Sequence, residues 1–105
     1  MSTKSLFVKP IDKSIVEKIS RRRRQILVHS YIYYELDDNI ISDTKWSEFA
    51  LELELLQQKY PEESKLACYY QEFIGFDRST AANLREVFTR PEIVKTAERL
   101  MRNKP

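Results

Sequence analysis

A single glycine, Gly75, and four prolines are the only strong chain breakers in 105 residues. Glycine supplies backbone conformations that other residues resist, and proline punctuates helices. With so few of either, little of the chain is loop-forming, and the stretches between the prolines read as helices. The same scarcity excludes a glycine-rich phosphate loop. The expectation is an all-α fold: one small domain over residues 1–105, built on a helical hairpin with additional C-terminal helices, preceded by a flexible arm at residues 1–9.

Periodicity sets the elements. Pro10 suits a helix entry, and Asp12 in the first turn meets the helix dipole favourably. Ile15, Ile19, Ile26, Tyr33 and Leu36 recur at helical spacing and predict a first helix over residues 11–36. The run Arg21–Arg24 interrupts that stripe, so a bend or break is expected near residue 21. Asp37, Asp38 and Asn39 end the helix by bonding to nearby backbone. Ser42 or Asp43 caps a second helix, which Pro61 stops. Trp46, Phe49, Ala50, Leu53, Leu56 and Tyr60 mark its buried face; Glu48, Glu52, Gln57 and Gln58 mark its wet one. A third helix over residues 64–74 presents Leu66, Tyr69, Tyr70 and Phe73, with Gly75 as its left-handed cap. Residues 77–80 read as a polar loop and residues 81–87 as one short helical turn. Thr89-Arg90-Pro91-Glu92 spells a capping box for a last helix with Ile93, Ala97, Leu100 and Met101 on one face.

A chain of this size buries roughly two thirds of its unfolded surface. Hydrophobic residues at 42% and aromatics at 11% are too many for a disordered chain. No apolar run approaches the ~20 residues of a membrane span, so no membrane partner is expected. The stretch MSTKSLFVKP has no long apolar segment and does not read as a signal peptide. Cys68 is the only cysteine, which excludes an internal disulfide, reads as a small core residue and fits a reducing cytoplasm. Charge is arranged in blocks. Residues 1–34 hold eight basic residues against two acids, residues 35–63 nine acids against two lysines, and residues 64–105 eight basic residues against five acids. Such blocks pair within a fold or steer a charged partner to one end.

Four consecutive arginines invite a nucleic-acid reading. On a helix, at about 100° per residue, they spread over roughly 300° and do not all face one phosphate track. At least one falls near the apolar stripe, snorkelling or pairing with an acid of the middle segment. Two readings stay open: a solvated or internally paired collar, and a phosphate contact to nucleic acid or a nucleotide through Arg21, Arg22, Arg23 and Arg24. His29 is the sole histidine, a poor metal site without partners at ligand spacing, and reads as a helix-surface or boundary residue. No further element of a Ser/His/Asp constellation accompanies it. The chain is expected not to be an enzyme and to require no cofactor.

The densest chemistry lies in HSYIYYELDDNIISDTKW, residues 29–46. Tyr33 and Tyr34 point about 100° apart on a helix, so that one faces the core while the other faces a groove. Asp43 opens the next helix near the end of the first, and Trp46 follows one turn on. One reading is ordinary packing of a helix hairpin. The other is a clamp, in which aromatic rings stack on a flat cationic ring and the carboxylate meets its charge or a hydroxyl.

At this stretch Tyr33-Tyr34-x-Leu36-Asp37, Ile41-Ser42-Asp43-x-x-Trp46, Glu52-Leu53-x-x-Leu56 and Tyr60-Pro61 resemble the small N-terminal helical domain of bacterial NAD-dependent DNA ligases. The pattern there runs roughly YYxxDxPxISDxEYDxLxxELxxLExxHPE. The resemblance covers residues 26–62 and implies a helical hairpin over them. In the ligases this domain closes over the NMN half of NAD, which is discarded when the enzyme is adenylylated. The resemblance therefore implies that Tyr33, Tyr34, Asp43 and Trp46 contact a nicotinamide nucleotide, NAD or NMN. Trp46 stands where the ligases carry Tyr and keeps a stacking ring. Ser47 stands where they carry Asp and removes a carboxylate, and Asp38-Asn39 replaces a residue–Pro turn. These departures point toward a degraded or repurposed pocket.

No Lys-x-Asp-Gly adenylation motif, OB-fold or set of zinc cysteines occurs in the sequence, so the chain is not expected to seal nicks by itself. YYQEFIGFDRSTAANLREVF and PEIVKTAERLM resemble small ligase-related proteins of phages and mobile elements of low-GC Gram-positive bacteria. Those typically read FxDFDGSTG, where this chain has Phe76-Asp77-Arg78-Ser79-Thr80-Ala81 without the two glycines. The first expectation is thus a non-catalytic, cytoplasmic module that binds a nicotinamide nucleotide. Its rival is an interaction protein of a mobile element that modulates or inhibits a host protein, for instance a nucleic-acid-processing or CRISPR defence enzyme. A third reading is direct RNA or DNA binding through Arg21–Arg24.

Overall fold

The computed structural model describes residues 10–103; the arm expected at residues 1–9 lies outside them. Among the described residues the regular structure is helical, as the sequence predicts. The elements are α1 (Lys13–Glu35), α2 (Asp43–Lys59), α3 (Pro61–Leu66), 3-10 segments at Gln71–Phe73 and Arg78–Leu84, α4 (Arg85–Phe88) and α5 (Pro91–Arg102). The long helix α1 is the axis of the fold, and α2, α3, α4 and α5 all pack on it.

Asp12 caps α1 from extended backbone, its carboxylate accepting the Ser14 amide at 3.0 Å, so the helix starts after it and not at Ile11. α1 then runs through the arginine cluster without the break expected near residue 21. The buried face explains this. Ile19, Arg23, Ile26 and Ser30 follow one another at steps of four, three and four, with Leu27 beside Ile26, and Arg23 fills the place where the apolar stripe seemed interrupted. Tyr33 and Leu36, expected on this face, are exposed, because Ile32 takes the buried position at that end of the helix. On α2, Ala50 and Leu53 are buried, while Trp46, Phe49, Leu56 and Tyr60 pack half-buried against the same core. Gln57, expected on the wet face, instead accepts a hydrogen bond from Arg23 at 2.9 Å.

Arg23 also explains why the helix expected over residues 64–74 stops at Leu66. The guanidinium donates to the carbonyls of Ser64, Ala67 and Cys68 at 3.2, 3.2 and 2.8 Å, and to the Ser64 hydroxyl at 2.6 Å. The Cys68 amide, which a continuing helix would send to Ser64, donates to the Ser20 hydroxyl at 3.1 Å. Side chains of α1 thus take over the hydrogen bonds that would extend α3. Tyr69 then adopts a φ of +62°, unusual for a bulky residue, and turns the chain into Gln71–Phe73. Gly75 is left-handed as expected, with φ +73°, but it follows this 3-10 turn and not a long helix. Leu66, expected inside, is exposed.

Two local signals resolve differently from expectation. The stretch 77–80 is the start of a 3-10 segment, capped reciprocally by Asp77 and Thr80. Pro91 and Glu92 do open α5, but Arg90 is its cap, and the Thr89 hydroxyl donates back to the Arg85 carbonyl at 2.7 Å, closing α4. Ile93 and Ala97 of α5 are buried and Met101 packs on the core, while Leu100 is exposed. The charge blocks meet within the fold: Lys18 and Arg22 pair with Glu52, Arg78 with Glu54, and Arg85 with Glu35.

Candidate functional site

The turn between α1 and α2 builds a cleft. Asp37 leaves helical geometry with φ +52°, and the amides of Leu36 and Asp38 both return to the Ile32 carbonyl at 3.2 Å. Ser42 then caps α2 by accepting the Lys45 amide at 3.0 Å. Asp43 is thereby held in the first helical turn, where exposed amides favour a carboxylate, and Trp46 lies one turn further. The resulting cleft has a volume of about 240 Å³. His29, Ser30, Tyr33 and Tyr34 line it from α1, Asn39 and Ile41 from the turn, and Asp43, Trp46 and Ser47 from α2.

Both tyrosines are exposed at the cleft, in place of the expected division between core and groove. Their rings meet edge to face, 5.0 Å apart at 84°. The outward position of Tyr34 has a structural cause: its ring lies parallel to that of buried Phe88, 5.8 Å away at 5°. The ion pair between Glu35 and Arg85 fixes α4 beside the same end of α1. The C-terminal elements therefore buttress one wall of the cleft.

Among the described residues Asp43 is the only formally charged one of the lining at neutral pH, because burial lowers the His29 imidazole below its usual 6.5. His29 Nδ1 and Ser30 Oγ, both buried, have no hydrogen-bond partner among the described residues. The sequence singled out Tyr33, Tyr34, Asp43 and Trp46, and the fold brings all four together. It passed over Ser30 and His29, although a signal existed: Ser30 precedes Tyr33 and Tyr34 by three and four residues, and His29 precedes Tyr33 by four, so helical geometry stacks them on neighbouring turns.

The arginine run disperses. Arg23 is in the core, Arg22 pairs with Glu52 and lies over the Phe49 ring, and only Arg21 and Arg24 reach the exposed surface. They border a second, shallower groove that also carries Arg99. Among the described residues no group of three or more His, Cys, Asp or Glu side chains is placed to hold a metal ion, and no helix is long and apolar enough to cross a membrane.

His29 carries a pH signature. Its folded pKa lies below 6.5, so between that value and the lower folded one the unfolded chain binds more protons. Stability should fall as pH drops through this window. Denaturant midpoints at pH 7.5 and pH 5.5 should differ for the parent, and His29→Gln should remove most of the difference. The depressed carboxylates Glu52, Glu72 and Glu92 titrate below 4.5, outside this range.

Comparison with known proteins gives this arrangement a family. Residues 12–66 match the family model described as DNA ligase-like, N-terminal NAD+-binding domain. The chain belongs to this family. The match takes in α1, α2 and α3 and stops before the segment that begins with Tyr69. The chain is 36% identical over 52 residues to a DNA ligase of Thermotoga petrophila, 42% over 52 residues to one of Petrotoga mobilis, and 35% over 52 residues to one of Methylococcus capsulatus. Each alignment takes in 50% of this chain and 8% of the ligase, so the chain spans only a small part of the length of these relatives. No solved structure matches the chain.

Proposed function

We propose that the cleft binds the nicotinamide end of NMN or NAD and that this chain is a binding module without catalysis of its own. One observation carries the reading: Tyr33, Tyr34, Trp46 and a single carboxylate line one cleft to which, among the described residues, no lysine or arginine contributes. A flat pyridinium cation suits that lining. Its faces stack on Trp46 or the tyrosines, and its charge is met by Asp43. Size agrees, because about 240 Å³ falls below the roughly 300–1,000 Å³ of whole-ligand sites and suits one ring with part of a sugar. Family membership adds support, since the matched domain is described as NAD+-binding. The non-catalytic part is supported by the sequence, in which no Lys-x-Asp-Gly adenylation motif occurs.

Calorimetric titration of the purified chain with NMN and with NAD tests the proposal. Saturable binding is expected with Kd roughly between micromolar and low millimolar. Absence of heat at millimolar ligand would overturn it.

A second reading, an interaction protein that modulates a host protein, is favoured by a different feature. Leu51 and Leu55 are 41% and 54% exposed one turn apart on the outer face of α2. Such a pair is the kind of apolar surface a partner covers. Under this reading Leu51→Asp with Leu55→Asp abolishes a complex reconstituted with a purified host protein and spares NMN binding. A complex indifferent to both changes would rule that face out.

A further inference from the structure

Ser30 is 1% exposed, and its hydroxyl has no hydrogen-bond partner among the described residues. An orphaned buried hydroxyl is costly and uncommon. A serine inside a helix ordinarily relieves that cost by donating to the carbonyl one turn back. Ser30 makes no such bond, and it lines the cleft. His29, the residue before it, lines the same cleft with an equally orphaned Nδ1. Desolvation keeps that imidazole neutral at pH 7.

A neutral imidazole nitrogen either accepts or donates according to its tautomer, and a hydroxyl rotates to supply the other role. Together the two groups can offer one donor and one acceptor, and a primary carboxamide, with an NH2 donor beside a carbonyl acceptor, satisfies both without adding charge. A carboxylate could only accept from the pair, and it would bring a second negative charge into a cleft whose lining, among the described residues, holds Asp43 and no lysine or arginine.

Resting on the nicotinamide-nucleotide reading above, we propose that Ser30 and His29 form an amide-recognition end of the cleft, which makes it select the nicotinamide nucleotide over its nicotinic acid counterpart. The pair meets the carboxamide, the charge of Asp43 opposes a carboxylate in its place, and both are separate from ring stacking. The assignment also accounts for two unsatisfied polar atoms on one short stretch of a core helix.

The test is a pair of titrations of the full chain, with NMN and with nicotinic acid mononucleotide, on the parent and on Ser30→Ala. The parent should bind NMN at least about tenfold tighter than the acid. Ser30→Ala should lose about tenfold in NMN affinity, while its thermal midpoint holds or rises because an orphaned hydroxyl has gone. A purely structural serine would give the reverse, a lower midpoint with NMN affinity unchanged. Equal affinities for the two nucleotides in the parent would overturn the amide assignment and leave the nicotinamide reading standing. No binding of either nucleotide to the parent would remove that reading and the assignment with it.

Discussion

Arg23→Met should remove a large part of the protein's stability. The substitution keeps most of the aliphatic stem and deletes the guanidinium. Three backbone carbonyls, those of Ser64, Ala67 and Cys68, then lose a donor, as do the Ser64 hydroxyl and the Gln57 side chain. An orphaned buried polar group costs about 1–3 kcal/mol. Some of these acceptors will find water, so a net loss of about 4 kcal/mol is a reasonable expectation against a total stability of about 5–15 kcal/mol. For a domain of this size that is a fall of roughly 15–30 °C in thermal midpoint.

The opposing effect is desolvation. Among the described residues no carboxylate forms a salt bridge with Arg23, and burial pulls its guanidinium down to about 10, still charged at neutral pH. Buried ionic groups elsewhere are sometimes replaced by hydrophobic ones at no cost. Here the partners are backbone carbonyls, which no substitution removes, so the loss outweighs the relief. Arg23→Lys should recover only part of the stability, because a point ammonium does not reach acceptors spread around a planar fork. Circular dichroism melts of the three proteins decide the matter. A methionine variant within about 1 kcal/mol of the parent would show that the carbonyls are satisfied some other way.

Arg23 also marks where sequence reading reaches its limit. The hairpin was legible because its determinants are local: the periodic apolar face of α2, the Ser42 cap, and the aspartates that end α1. An arginine within a run of four reads as surface, and only the folded position of residues 64–68 shows what it holds. The misread third helix has the same origin. Its apolar spacing is sound, yet Ser20 and Arg23, more than 40 residues earlier in sequence, take the hydrogen bonds that would extend it. Thr89-Arg90-Pro91-Glu92 fails for a local reason, since the Thr89 hydroxyl has an equally near acceptor in Arg85. The site divides along the same line. Tyr33, Tyr34, Asp43 and Trp46 stand out by residue type and spacing, and their convergence needs only a hairpin. Ser30 is an ordinary helix residue until its burial and its lack of a partner are known. Phe88, far along the chain, is the backing of Tyr34 and has no signature in the sequence at all.

Asp43→Asn should lower NMN affinity by about ten- to a hundredfold while the protein stays folded. Asparagine keeps the size and one acceptor oxygen of aspartate, so a hydrogen bond to a ribose hydroxyl survives and the negative charge does not. If Asp43 serves the pyridinium charge, the loss is therefore large for oxidised NMN and small for reduced NMN, whose ring is neutral. The fold should tolerate the change, because Ser42 and not Asp43 caps α2, and the carboxylate contributes to the helix only through its dipole. Because Asp43 is exposed, its attraction for the cation is screened, and the difference between aspartate and asparagine should narrow as salt is raised. Calorimetry with the two redox forms of NMN at low and high salt measures all of this in one series. Equal affinities of parent and variant for oxidised NMN would take the charge away from Asp43. The rings would then carry the charge preference through cation–π contact, and the preference for oxidised over reduced NMN should survive unchanged in Asp43→Asn.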